Sequence, residues 1–265
     1  LKIFHASDWH TDGYGAVSIL DRMIREEAGE QPDLVILTGD MVRNFHPSLK
    51  DLGNEEVLQE RIYQNLVSYI DRCWPGVDIF AVRGNHDWCD YEISGSAKAF
   101  DAQEGGSFVW NGLKVAGFRG VPALHGFWKD EYNERQLEAL CAGVPSNTDI
   151  LVTHAPPHGI MDDVRDAVSR VPIPGMEDTT IQPRHIGSFA IRELVDRLPN
   201  LKLHVFGHCH EQGGQVQSRT YAIRQPVIPF YGSGAKEGIC APDQKYRQVI
   251  FSNAAGCVNM IHLGV

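Results

Sequence analysis

Long apolar runs are missing from this chain of 265 residues: none approaches the ~18–20 residues that a membrane-spanning helix needs. No membrane partner is expected. Nor does a signal-type segment precede the first chemical motif, which begins at Asp8, so a cytoplasmic location is expected. Cysteine is sparse. The six residues Cys73, Cys89, Cys141, Cys209, Cys240 and Cys257 contain no C-x-x-C pair and read as reduced thiols, because a chain of this length builds a core without disulfides. Positive charge is also short: 24 Lys and Arg stand against 34 Asp and Glu, a net charge of −10. That balance argues against nucleic acid as a partner without excluding it. It leaves room for a small anionic substrate, because bound divalent cations reverse the local sign.

What is present is an alternation of strand-like and helix-like segments. Lys2 to Ser7 reads as a first strand. Gly15 to Ala28 has helical periodicity, with Val17, Leu20, Ile24 and Ala28 on one face. The apolar run Leu34 to Leu37 suits a buried parallel strand. A helix over Glu55 to Cys73 and a strand over Val77 to Val82 follow, then a short helix within Tyr91 to Gln103. Ser107 to Asn111 and Leu113 to Arg119 make a hairpin about Asn111-Gly112. Residues 120–131 read as a loop, Asn133 to Cys141 as a helix, Asp149 to Thr153 as a strand, and 155–185 as irregular. Ile186 to Leu198 is helical, Leu201 to Phe206 is a strand, and 214–263 holds several β-like runs. The β–α alternation implies an α/β layered fold, and the β-rich middle and end imply a second sheet. No linker stands out, so one domain over 1–265 is expected. Nothing in the pattern specifies an oligomeric state.

The chemistry collects at strand ends. Five candidate strands are followed by potential metal ligands: Asp8 and His10, Asp40, Asn85, His154, and His208 with His210. In extended backbone, residues i and i+2 point the same way, which pairs Asp8 with His10 and His208 with His210. Functional crevices of open α/β sheets lie beyond the carboxyl ends of strands, where five such ends can meet. Seven ligands exceed one tetrahedral ion. They fit two ions of higher coordination that share one carboxylate. Mixed carboxylate, imidazole and amide donors suit Mn, Fe, Zn or Ni better than Ca or Mg; two such ions, with Mn first, are the expected cofactors.

The ordered blocks Asp8-Trp9-His10, Gly39-Asp40, Gly84-Asn85-His86-Asp87, His154 and Gly207-His208-Cys209-His210 resemble the signature of the calcineurin-like metallophosphoesterases. The resemblance implies a four-layer α/β/β/α sandwich and a dinuclear centre. It assigns Asp8, His10, Asp40 and His210 to one ion, and Asp40, Asn85, His154 and His208 to the other. It further implies phosphoester hydrolysis by a metal-bridging hydroxide, with His86 stabilising the transition state or protonating the leaving group. Asp87 is grouped with His86 as catalytic; in a plainer reading His86 is a histidine behind the ligands, oriented by Asp87. Gly39 to Asn44 departs from the G-D-x-V-D-R-G of Ser/Thr protein phosphatases, which counts against that activity.

A narrower resemblance covers residues 149–214. Thr153-His154-Ala155-Pro156-Pro157-His158-Gly159-Ile160-Met161-Asp162 is similar to the T-H-x-P-P-x-G-x-x-D segment of the MPPED-like phosphodiesterases, a group that is itself similar to the small class III cyclic-nucleotide phosphodiesterases. It makes small phosphodiesters, cyclic nucleotides among them, the expected substrates. A phosphomonoesterase or nuclease of the same superfamily is the nearer alternative, and a non-catalytic protein-binding scaffold the distant one. Arg43, Trp128 and His158 are candidate substrate contacts, with His125 and Arg119 also near the expected cleft. Residues 159–185 read as a lid or an interface loop.

Overall fold

Leu34, Val35, Ile36 and Leu37 are apolar at every position, and all four are fully buried. Alternate side chains of a strand face opposite ways, so such a strand needs apolar partners on both sides. Val35 and Leu37 enter one core cluster, and Leu34 and Ile36 another. The same division runs through the chain and produces four layers.

The computed structural model describes residues 1–12, 14–26, 30–45, 52–90, 98–99, 106–123, 128–164, 185–222 and 246–264. One sheet holds β1 (Lys2–Ala6), β2 (Leu34–Leu37), β3 (Asp78–Ala81), β4 (Lys98–Ala99) and β13 (Val258–His262), in the order β13-β1-β2-β3-β4. Strands β1 to β4 are parallel and β13 is antiparallel to β1. The second sheet holds β5 (Ser107–Trp110), β6 (Leu113–Phe118), β9 (Ile150–Thr153), β10 (Leu203–Phe206), β11 (Gln215–Ala222) and β12 (Tyr246–Asn253), in the order β11-β12-β10-β9-β6-β5. Its four central strands are parallel, with an antiparallel strand at each edge.

Helices cover the outer faces. Leu20 of α1 (Tyr14–Glu26) and Tyr63, Leu66 and Ile70 of α2 (Leu52–Cys73) pack on Phe4, Val35, Leu37 and Ile79 of the first sheet. Leu137 of α3 (Glu134–Ala142) and Ile191, Leu194 and Val195 of α4 (Phe189–Arg197) pack on Phe118, Leu151, Phe206 and Phe251 of the second. Between the sheets lie Ile3, Leu34, Ile36, Phe80, Val115, Ile150, Val152, Leu203 and Val205. Each fully buried aliphatic side chain contributes ~1.5–3 kcal/mol relative to exposure. The fold is therefore the expected α/β/β/α sandwich.

Two expectations change. Tyr91 to Gln103 reads as a helix, yet Lys98–Ala99 is a short strand paired with β3; its remaining residues lie outside those described. The loop 120–131 contributes to a small parallel pair, β7 (Val121–Pro122) with β8 (Glu131–Tyr132). Pairing with a neighbouring backbone decides such two-residue strands, and local periodicity carries no trace of it.

Candidate metal centre

The ligand-bearing residues follow parallel strands of both sheets: β1, β2 and β3 from the first, β9 and β10 from the second. They converge because the loops bond to one another. Asp8 N–H donates to Gly39 O (2.9 Å), and His10 N–H to Asp40 O (3.0 Å). Asp87 Oδ2 accepts the amides of Asp40 (2.7 Å) and Gly84 (2.8 Å). Across the sheets, His208 N–H donates to Asp8 Oδ2 (2.9 Å), and His154 Nδ1 donates to Thr38 O (2.6 Å).

Four of the seven expected ligands, Asp8, His10, Asp40 and His208, have positive φ between 43° and 66°. Non-glycine residues rarely adopt that region, and each costs of order 1–3 kcal/mol. Bonds between the loops hold them there: the amides of Asp8, His10, Asp40 and His208 all donate to another loop. The motif glycines have a steric reason too. A Cβ on Gly84 would lie 2.1 Å from Asp40 Oδ1, and one on Gly207 would lie 2.1 Å from Asp8 Oδ2.

Each central carboxylate has one oxygen tied down and one turned inward. Asp8 Oδ2 accepts from Ser7 Oγ (2.5 Å) and from the His208 amide, while Oδ1 lies 3.4 Å from His210 Nε2. Asp40 Oδ1 accepts the His86 amide (2.8 Å), while Oδ2 lies 3.3 Å from His154 Nε2 and 4.0 Å from His10 Nε2. Asn85 Oδ1 is 3.2 Å from His154 Nε2, and the rings of His154 and His208 are 5.1 Å apart. Donor atoms of Asp8, His10 and His210 form one group within 4.8 Å, and those of Asp8, Asp40 and His154 form another.

Electrostatics fit cations at this place. Burial pushes the Asp8 and Asp40 carboxyls up, yet His154 and the other neighbouring imidazoles outweigh it and hold both below the ordinary range. Burial pulls His154 down, but Asp40 and Asp8 raise it to about 10. His208 is pushed down to about 3, chiefly by burial. Asp8 Oδ1 and His208 Nε2 are buried and make no hydrogen bond among the described residues. Buried polar atoms without partners are costly unless something coordinates them. Two acids, four imidazoles and one amide, with two donor atoms left open, form a donor set that suits two divalent cations.

Residues 1–212 match the calcineurin-like phosphoesterase family. The chain belongs to that family. Metallophosphoesterase domain-containing protein 1 of Homo sapiens and that of Mus musculus are each 32% identical to this calcineurin-like phosphoesterase over 113 residues, 41% of this chain. The aligned stretch is 30% of the length of those relatives. A dimetal phosphatase from Danio rerio aligns with 80% of this chain and 82% of its own, at a TM-score of 0.44 and 13% identity.

Around the centre of this calcineurin-like phosphoesterase, other expected residues take varied places. The His86 ring lies edge-on to His10 at 4.9 Å and against Trp128 at 4.0 Å. Its ring partner is Asn44, not Asp87: Nδ1 is 2.6 Å from Asn44 Oδ1. Asp87 acts on the backbone of the ligand loops. Arg43 is exposed, with its guanidinium 4.8 Å from the Phe45 ring. His158 stacks on Phe189 at 3.8 Å and neighbours Asp162 at 3.6 Å. Arg119 pairs with Asp130 at 3.4 Å. His125 lies outside the described residues. Ser7, Thr38 and Asn44 were not singled out by sequence. Ser7 had one usable signal, its place beside a ligand; Thr38 and Asn44 act through contacts that no local pattern encodes. No described helix is long and apolar enough to cross a membrane.

Proposed function

We propose that this metal-dependent phosphoesterase hydrolyses small phosphodiesters, cyclic nucleotides among them, with two Mn²⁺ ions. Asp8, His10, Asp40 and His210 would hold one ion; Asp40, Asn85, His154 and His208 would hold the other. The observation that carries this reading is the matched pair Asp8 and Asp40. Each has one oxygen fixed by a backbone amide and the other turned toward imidazole nitrogens. When bound, two such ions supply Lewis acidity toward a phosphoryl oxygen and a nucleophilic water at neutral pH.

The chain's own part is orientation. The His154 Nδ1 bond to Thr38 O leaves Nε2 as its donor atom. Asp87, expected as catalytic, keeps Asp40 and Gly84 in register through their amides. His86 sits beside Asn85, and its ring nitrogen on the side away from Asn44, once protonated, would donate to a phosphoryl or leaving oxygen. Trp128, half-buried against the His86 ring, offers an aromatic face to a nucleobase, which favours nucleotide diesters. Strands β11, β12 and β13 lie beyond residue 212 yet complete both sheets, which supports one catalytic domain over 1–265.

The test is hydrolysis of bis-p-nitrophenyl phosphate, p-nitrophenyl phosphate and a cyclic-nucleotide panel with Mn²⁺ or chelator. Diester turnover that needs metal is expected. A strong preference for the monoester overturns the diester reading.

A further inference from the structure

The environment of the His86 ring settles which of its nitrogens carries the proton. Asn44 touches His86 twice. Its Oδ1 lies 2.6 Å from the ring Nδ1, and its Nδ2 lies 3.1 Å from the His86 backbone oxygen. A carbonyl oxygen only accepts, so the amide nitrogen of Asn44 must face it. That places Asn44 Oδ1, also only an acceptor, against Nδ1. The ring must then donate from Nδ1, which leaves Nε2 as the free nitrogen of the neutral imidazole.

The partner is itself held. Gln59 of α2 is fully buried and uses both ends of its amide. Its Nε2 donates to His86 O (3.0 Å) and Glu55 Oε1 (3.2 Å), and its Oε1 accepts from Trp88 N–H (2.7 Å). Glu55 accepts the amide of Phe45, next to Asn44, at 2.9 Å. The loop after β2 and the loop after β3 are thereby fastened to one helix, with Asn44 and His86 facing each other between them. Trp128 closes on the ring at 4.0 Å.

We propose that Asn44 is a positioning residue that fixes His86 in the Nδ1–H tautomer and presents Nε2 to the substrate. The catalytic consequence rests on the phosphoesterase reading above; the tautomer does not. An amide partner carries no charge, so it orients the ring without adding an anion behind it. In the neutral ring, Nε2 accepts a proton or hydrogen bond at the reacting group, and it donates only after gaining a proton.

The test is histidine ring ¹H–¹⁵N correlation NMR on the Zn²⁺-loaded protein, Zn²⁺ being diamagnetic, at about pH 8.5, above the usual imidazole range. His86→Gln assigns the signal by its loss. The wild type is expected to show a protonated Nδ1 and a bare Nε2. Asn44→Leu is expected to populate the Nε2–H form, and Asn44→Asp, which still accepts from Nδ1, to restore the original pattern. With metal content matched, Asn44→Leu should lower kcat ~10–100-fold and leave KM nearly unchanged. An Nε2–H ring in the wild type overturns the proposal, and so does a tautomer indifferent to Asn44→Leu. If Asn44→Leu fails to fold, the wild-type and Asn44→Asp spectra decide. The expected tautomer in a protein that hydrolyses no phosphoester would support the positioning and overturn the phosphoesterase reading instead.

Discussion

The His208 backbone amide donates to Asp8 Oδ2 at 2.9 Å and so joins the loop after β10 to the loop after β1 across the two sheets. Ser7 Oγ reaches the same oxygen at 2.5 Å. Asp8 thereby has one oxygen committed to backbone and hydroxyl donors and the other turned toward His210 Nε2 at 3.4 Å, the oxygen proposed to meet a cation. Ser7→Ala removes a bond that orients the carboxylate without removing a ligand. It should weaken metal binding ~10-fold, the scale of other lost ligand-orienting contacts, and cost the chelator-treated protein ~1–3 kcal/mol, because the bond lost is buried and charge-assisted. Calorimetric Mn²⁺ titration of both proteins checks this; equal affinities would contradict it.

Gly84 and Gly207 are where a methyl group collides with a carboxylate. Gly84→Ala forces Asp40 Oδ1 away from a contact of 2.1 Å, and Gly207→Ala displaces Ser7 and Asp8. Each substitution should cost ~1–3 kcal/mol in denaturant unfolding and abolish most metal-dependent turnover. Retained turnover with normal metal content would show that these loops yield more easily than their packing suggests.

Two buried histidines set an acid limit on stability. His5 bridges Thr38 Oγ1 (2.9 Å) and Ser252 Oγ (2.8 Å), while His204 bonds Thr153 Oγ1 (2.9 Å). Burial lowers both to about 3 from 6.5. The unfolded chain therefore binds more protons than the folded one between these values, and stability rises with pH there. Their contribution is complete above 6.5 and is lost as pH falls toward 3. Urea unfolding of chelator-treated protein across that window should show the decline. His204→Phe should flatten it; an unchanged slope would count against the assignment.

Much of the candidate centre was legible in the chain because the side chains that meet there sit on short motifs directly after strands. Asp8, His10, Asp40, Asn85, His154, His208 and His210 converge because parallel strands present their carboxyl ends together. Gln59 and Asn44 were not legible. Gln59 is one polar residue on an otherwise ordinary amphipathic helix, and its meaning arises from two loops folded onto it. The strand Lys98–Ala99 was misread because its state depends on β3 alongside, not on its own residues. Asp87 was legible as part of a motif, but its grip on the Asp40 and Gly84 amides required the fold.

Gln59 offers a further check. Gln59→Leu leaves the amide of Trp88 and the carbonyl of His86 without that partner in a half-buried setting. A loss of ~1–3 kcal/mol in stability is expected, with a fall in kcat because His86 and Asn44 lose their common support. A stability loss with kcat intact would assign Gln59 to the fold alone.

The most direct test of the central claim is metal add-back. Chelator-treated protein is titrated with Mn²⁺ while bound metal and bis-p-nitrophenyl phosphate hydrolysis are followed together, with Asp40→Asn alongside. Two ions per chain are expected, with turnover appearing as the second binds and absent in Asp40→Asn. Full turnover at one ion or none, or unaltered turnover in Asp40→Asn, would contradict a two-ion centre built around Asp40.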